Sequence, residues 1–396
     1  MIKLIKKGIV YAPDYLGVKD ILICNDKIAK IDDDIPLPPK GFYEVEVIDA
    51  SNQIVTPGFI DLHVHITGGG GEGGYTTRTP EIQLSQITTT GVTTVIGLLG
   101  TDGTTRSLNS LLAKARALEE EGINALSWTG CYQFPTRTIT DTSRDDIILI
   151  DKIIGVGEVA ISDHRGSKPM EKDIERLALE CRVAGLLSNK CGVLQLHVGD
   201  DREGINILFD IIKESPILAK NILPTHINRN MNLLHQAIKY LKMGGHIDLT
   251  SGITRTESDP IPSDASYGLK YLLDKGCPLE NITMSSDSNG SMPIFDENGK
   301  LTDISVGSIE TNFVEFRKMV QVYNLPIEKA LYPLTKNPSR ILKLDYLGTI
   351  DVEKQADLLI MNPDLSLDYV LCKGKTLVQH GNAVKFGTFE KDIKSK

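Results

Sequence analysis

Eight short apolar runs alternate with helical patterns through the middle of this chain, and that alternation restricts its fold more than any other feature. The runs are FIDLHVH, TTVIGLLG, NALSWTGCY, GEVAISD, VLQLHVG, ILPTHIN, HIDLTSG and NITMSSD. Between them lie patterns such as SLLAKARALEEEG and NLLHQAIKYLKMGG, with apolar residues at helical spacing and a closing glycine. Strands that are apolar almost throughout are covered on both faces, which indicates a parallel sheet flanked by helices. Eight such units over roughly 290 residues suit a (β/α)8 TIM-like barrel, an α/β fold, better than an open sheet.

The two ends read differently. KDILICNDKIAKI has two apolar stretches around Asn25-Asp26, a hairpin pattern, and the C-terminal stretch repeats that style with turns at Gly374 and at Gly381-Asn382. Residues 1–56 and 345–396 are therefore expected to build one small β-sandwich domain, with 57–344 as the barrel. An excess of 52 acidic over 43 basic residues gives a formal charge of −9 and argues against nucleic acid or an anionic membrane surface as partner. Six scattered cysteines without a CxxC pair read as reduced thiols. The N-terminus lacks a secretory apolar core and no run approaches the ~20 residues that span a bilayer, so a soluble, cytoplasmic protein is expected.

Chemistry in such a barrel sits at the C-terminal ends of the strands. The polar residues there are His63 and His65, then Glu158, His197, His226 and Asp287, from the first, fourth, fifth, sixth and eighth runs. Side chains two apart on a strand share a face, so His63 and His65 can grip one ion. These nitrogen and oxygen donors, with no thiolate, suit two divalent ions, Zn²⁺ above all, or Mn²⁺, Co²⁺ or Ni²⁺. Such a pair lowers the pKa of a bridging water and polarises a carbonyl. Asp287 also reads as a turn cap in SSDSNGS; its place after the eighth run favours ligand and base. His164, His235, His246 and His380 are left to core or surface roles.

Directly after the histidine pair, six glycines flank one acid, Glu72. A flexible surface loop would look the same, but the position favours close backbone approach to a substrate. Arg165 and Arg229 follow Glu158 and His226 closely and are expected to face the same cavity, where guanidinium forks recognise carboxylates. Tyr132, at the end of the third run, serves equally well as an oxyanion donor or as a core aromatic.

These residues resemble the amidohydrolase superfamily and, within it, the β-aspartyl (isoaspartyl) dipeptidases. The shared stretches are PGFIDLHVHITGGGGEGGYTTRTPE, GLLGTD, SLLAKARALEEEGI, AISDHR, LPTHINRN, SSDSNGS and the ending GNAVKFGTFE, which together extend over almost the whole chain. The resemblance implies metal-dependent hydrolysis of dipeptides joined through the aspartate side chain, by a hydroxide that bridges the two metals. Glu72 would hold the α-ammonium, while Thr101, Arg165, Arg229 and Ser291 would help hold the carboxylates. Tyr132 would support the oxyanion, and Asp287 would act as base and then as acid. It also implies a homo-oligomer, an octamer in the family. The family carries a carboxylated lysine on the fourth strand where this chain has Glu158, so a glutamate bridge without a carbamate is expected. Two other readings stand beside this one. A relative acting on N-acyl amino acids or on cyclic amides such as hydantoins and dihydroorotate would have no use for Glu72, and a non-catalytic scaffold would be missing metal ligands.

Overall fold

A computed structural model of the protein describes residues 1–396 apart from 40, 42–43, 254–263, 296–297, 299 and 391–396. The N-terminal strands are β1 (Ile2–Tyr11), β2 (Tyr15–Cys24), β3 (Lys27–Asp32), β4 (Glu46–Asp49) and β5 (Ile54–Pro57). The expected hairpin turns at Asn25, whose φ of 58° is the left-handed conformation that such turns require. The eight apolar runs all become strands: β6 (Phe59–Val64), β7 (Val92–Gly97), β8 (Asn124–Thr129), β9 (Ile153–Ile161), β10 (Val193–Val198), β11 (Ile222–Thr225), β12 (Ile247–Thr250) and β13 (Ile282–Ser285). A hairpin, β14 (Ser291–Phe295) and β15 (Leu301–Val306), follows. The chain closes with β16 (Leu358–Met361), β17 (Leu367–Cys372), β18 (Lys375–Gln379) and β19 (Asn382–Ala383).

Strands from both termini join in a single nine-stranded sheet, ordered β19-β18-β17-β16-β5-β1-β2-β3, with β4 also paired to β1. This sheet has an apolar core of its own, including Ile5, Val10, Ile21, Ile23, Leu358 and Leu371. The middle of the chain forms a curled parallel sheet of six strands, β6 to β11 in sequence order, and β12 and β13 make a separate parallel pair. Helices such as Leu108–Glu121 and Glu171–Ser188 turn buried leucines, isoleucines and alanines towards these strands. Trp128 is fully buried, and its indole N–H donates to the Leu62 carbonyl at 3.0 Å, so its one polar atom is satisfied.

Two buried acids span the gaps between the six strands and the pair. Asp248 on β12 accepts from Thr225 on β11 (2.7 Å) and from Thr283 (2.7 Å) and Ser285 (2.6 Å) on β13. Asp61 on β6 accepts from the Ser286 hydroxyl at 2.5 Å and from the Asn312 amide at 2.9 Å. The His65 N–H donates to the Ser288 carbonyl at 2.9 Å, just beyond β13. Burial pushes the Asp61 carboxyl up to about 7 against the pull of these donors. Asp248→Ala would leave the buried hydroxyls of Thr225 and Ser285 without their acceptor, while Thr283 keeps the Ile247 carbonyl at 3.2 Å. It is expected to cost about 3 kcal/mol, read from denaturant unfolding; a loss below ~1 kcal/mol would mean that the acid does not brace the seam.

Among the described residues no helix is long and apolar enough to cross a membrane. The six cysteines are free, five buried and Cys24 half-buried. Most of the polar stretch 251–266, read from sequence as either a lid or a surface loop, lies outside the described residues.

Candidate active site

The four histidines converge. His63 and His65 end β6, His197 lies on β10 and His226 follows β11, and all four are buried. Ring centroids are 5.5 Å apart for His63 and His65, 5.3 Å for His63 and His226, and 4.5 Å for His197 and His226. Glu158, from β9, stands among them. Its Oε2 lies 3.4 Å from His63 Nε2, 3.2 Å from His197 Nδ1 and 3.6 Å from His226 Nε2, while Oε1 lies 3.6 Å from His65 Nε2. Asp287 completes the group with Oδ1 3.3 Å from His63 Nε2 and 3.1 Å from His65 Nε2. His226 and Asp287 both have positive φ, 65° and 54°, in the left-handed region that non-glycine residues rarely occupy. Two glycines make room for this crowding. A Cβ on Gly290 would lie 2.7 Å from His65 Cδ2, and one on Gly100 would lie 2.8 Å from His65 Cε1.

Two donor sets lie close enough to share a cation: His63, Glu158 and His226, and His63, His65 and Asp287. The residues fit such ions on two grounds. His63 Nε2 and His226 Nε2 are buried without a hydrogen-bond partner, a costly arrangement unless something binds their lone pairs. In addition, His197 Nε2 faces Asp163 at 2.9 Å, which fixes the ring proton there and turns the Nδ1 lone pair towards the Glu158 carboxylate. A lone pair opposite an anion repels it unless a cation intervenes.

The charges agree with that geometry. Burial opposes ionisation of Glu158, but the field of His63 and the close imidazoles of His197 and His226 outweigh it and hold its carboxyl well below the usual range. Asp287 is treated alike: burial raises it, and His63 and His65 bring it down further. His226 is held at about 3, chiefly by burial and then by repulsion from His197, so it stays neutral and able to ligate.

The substrate-side residues form a second group beside the first. Glu72 accepts from the Thr101 hydroxyl at 2.8 Å and the Ser291 hydroxyl at 2.9 Å, and pairs with Arg165 Nη1 at 3.3 Å. A cavity of about 400 Å³, lined among others by Gly71, Glu72, Tyr75, Arg78 and Thr101, opens next to this group. Tyr132 is buried, its OH 2.8 Å from His197 Nδ1 and its ring 5.5 Å beneath the Arg165 guanidinium. Burial, then the charge of Glu158, push its phenol well above its ordinary value, so it stays protonated. Arg229 ends the short turn after His226, its Nε 3.7 Å from Asp200. Of the histidines left to other roles, His235 bonds Tyr271 and His380 bonds Asp368 at the surface, and His246 is buried.

Several residues of the site were not singled out in the sequence. Asp163 holds His197 and Arg165. The Gln195 amide lies 3.2 Å from His63 Nδ1, and Thr250 lies 2.8 Å from His226 Nδ1, so the far nitrogens of both rings are engaged. Arg106 pins the glycine loop, donating to the carbonyls of Gly69 (2.8 Å), Thr79 (2.9 Å) and Thr67. Gly70 in that loop has φ 76°, and a Cβ there would lie 2.4 Å from the Thr77 carbonyl oxygen. Of these, Asp163 alone left a sequence signal, an acid just past a strand end and two residues before Arg165.

Comparison with known proteins agrees with this architecture. Amidohydrolase family models match residues 46–191 and 196–377. A dihydroorotase of Aquifex aeolicus is 26% identical over 413 residues, spanning 92% of this chain and 90% of its own. The crystal structure of a dihydropyrimidinase from Brevibacillus agri shares the fold at 15% identity, with a TM-score of 0.70 and coverage of 99% of this chain and 100% of its own. The crystal structure of a β-aspartyl dipeptidase from Fervidobacterium islandicum AW-1, in complex with β-Asp-Leu, is far nearer. It is 40% identical over 98% of this chain and 100% of its own, with a TM-score of 0.90. On this end-to-end similarity the chain belongs to the amidohydrolase family and, within it, to the β-aspartyl dipeptidases: it is a hydrolytic enzyme, a dipeptidase.

Proposed function

We propose that this enzyme hydrolyses dipeptides in which aspartate is linked through its side-chain carboxyl, with two divalent cations, zinc first among candidates, held by His63, His65, Glu158, His197, His226 and Asp287. The eight central strands are taken to close as a (β/α)8 barrel over 57–344, with the terminal segments 1–56 and 345–396 as a small β-sandwich. The observation that carries the reading is Glu72, an acid fixed by Thr101, Ser291 and Arg165 beside the donor cluster. An acid there has a use in holding a free α-ammonium. The similar Fervidobacterium enzyme was crystallised with a dipeptide that carries one.

When bound, the cations supply Lewis acidity, which makes water nucleophilic near neutral pH and polarises the scissile carbonyl. The chain does the rest. Glu72 receives the ammonium, while Arg165, Arg229, Thr101 and Ser291 receive the carboxylates, so a zwitterionic substrate exchanges the Glu72–Arg165 contact for contacts of its own. Tyr132, a protonated phenol in a dry setting, donates to the developing oxyanion. Asp287, ionised and facing both His63 and His65, takes the proton of the attacking water and passes it to the leaving amine. Glu158 turns one oxygen to His65 and the other to His63, His197 and His226, which supports a bridging role without a carbamate. Assembly as a homo-oligomer belongs to the same proposal and is checked by light scattering.

The direct test compares substrates. Zinc-loaded enzyme is expected to cleave β-Asp-Leu and to leave acetyl-aspartate and dihydroorotate intact. Cleavage of dihydroorotate in place of the dipeptide would move the assignment to the cyclic amides of the dihydroorotase relatives. Glu72→Gln removes a charge-assisted contact worth ~1.5–3 kcal/mol, so KM for β-Asp-Leu should rise about 10- to 100-fold. N-acetylated β-Asp-Leu should be unaffected, and an equal loss for both would show that Glu72 does not hold the amine.

A further inference from the structure

We propose that Asp163 is a positioning residue that couples the metal-binding histidines to substrate recognition, a role that rests on the dipeptidase reading. It sits just past β9, 5% exposed, and its two oxygens are fully used. Oδ2 accepts from His197 Nε2 at 2.9 Å and from Arg165 Nη2 at 2.8 Å. Oδ1 accepts from the Arg165 backbone N–H at 2.7 Å and from its Nε at 3.1 Å. The arginine is therefore gripped as a planar fork, the geometry that fixes a guanidinium most firmly.

Each partner presents its other end to the chemistry. His197, with its Nε2 proton committed to Asp163, directs Nδ1 at Glu158 (3.2 Å) and the Tyr132 hydroxyl (2.8 Å). Arg165, with Nε and Nη2 committed, extends Nη1 to Glu72 at 3.3 Å. One carboxylate thus ties Glu158 and His197 to Arg165 and Glu72. Partners that orient a ligating histidine typically govern metal affinity about 10- to 100-fold. A shared anchor also implies that metal loading and substrate binding favour each other, since such coupling is reciprocal.

Asp163→Asn disturbs the shared anchor. An asparagine has one acceptor oxygen, so its NH₂ opposes the Arg165 backbone N–H and Nε in one orientation, and His197 Nε2 together with Arg165 Nη2 in the other. In the otherwise intact enzyme, zinc affinity measured by chelator competition is expected to fall at least about 10-fold. With zinc saturating, KM for β-Asp-Leu is expected to rise by a similar factor while kcat changes less. A folded variant with wild-type zinc affinity overturns the proposal. So does one with weakened zinc binding and an unchanged KM, because the coupling is then absent. Should the asparagine variant not fold, Asp163→Glu keeps the charge but displaces the carboxylate by one methylene. Zinc affinity and KM should then worsen together by smaller factors, and wild-type values for either again overturn the proposal. The zinc arm does not depend on turnover. A wild-type enzyme that cleaves no β-Asp-Leu therefore contradicts the functional reading, whereas unchanged zinc affinity contradicts this one.

Discussion

Asp287→Asn is expected to lower kcat for β-Asp-Leu by about 10²- to 10⁴-fold while the fold stays intact. The exchange keeps size and removes the charge. At this position the charge does two things: it faces His63 and His65 at 3.3 and 3.1 Å, and it leaves an acceptor for the proton of the attacking water. The side chain is 13% exposed, the most open of the cluster, consistent with a group that must meet substrate. Its left-handed backbone, φ 54°, is a conformation that asparagine tolerates, so the circular dichroism spectrum and melting temperature should change little. The KM should move less than kcat, because the lost interaction belongs to the transition state. A kcat within tenfold of wild type would remove Asp287 from the chemistry.

Glu158→Ala is expected to be nearly as severe and to act through metal content. The carboxylate lies 3.2 to 3.6 Å from a nitrogen of each of the four histidines, so its loss leaves four buried imidazoles without their shared anion. After dialysis the variant should retain at most one ion per chain by metal analysis. Turnover should fall about 10³-fold, the scale expected when a two-ion site loses one partner. Wild-type protein stripped of metal and reloaded in bicarbonate-free buffer should regain full activity, since a glutamate needs no carbon dioxide to become an anion. Two ions and full turnover in Glu158→Ala, or a bicarbonate requirement in the wild type, would contradict the bridging role.

The eight central strands were legible because each is a short run of apolar residues between turn and cap signals, and local patterning of that kind depends little on the rest of the fold. The structure brings the six named donors together because each lies in or just past the C-terminal half of a parallel strand, five of them with the curled six-stranded sheet and Asp287 just after β13. What could not be read were partners separated by scores of residues. Gln195 meets His63 across 132 positions and Asp61 meets Ser286 across 225, and no local pattern marks either pair. Arg106 belongs to the same class, because its work is to hold carbonyls of a glycine loop that any donor of the right reach could hold. Arg229 was legible from its place just after His226. It lies close enough to His226 for its charge to act on that ring, while its Nε is 3.7 Å from Asp200. Asp163 lay in plain view in AISDHR, between two residues that were named, and was passed over because its partner His197 is 34 positions away.

The central claim is that a zwitterionic β-aspartyl dipeptide is held between Glu72 and the arginines above two ions that share Glu158. A crystal structure of the zinc-loaded enzyme with a non-cleavable β-Asp-Leu analogue, with data collected at the zinc edge, tests it most directly. The account predicts two anomalous peaks about 3.5–4 Å apart, one beside each Glu158 oxygen, with the α-ammonium on Glu72 and a carboxylate on Arg165. A single peak, a carboxylated lysine between two, or an analogue turned with its carboxylate towards Glu72 would contradict it.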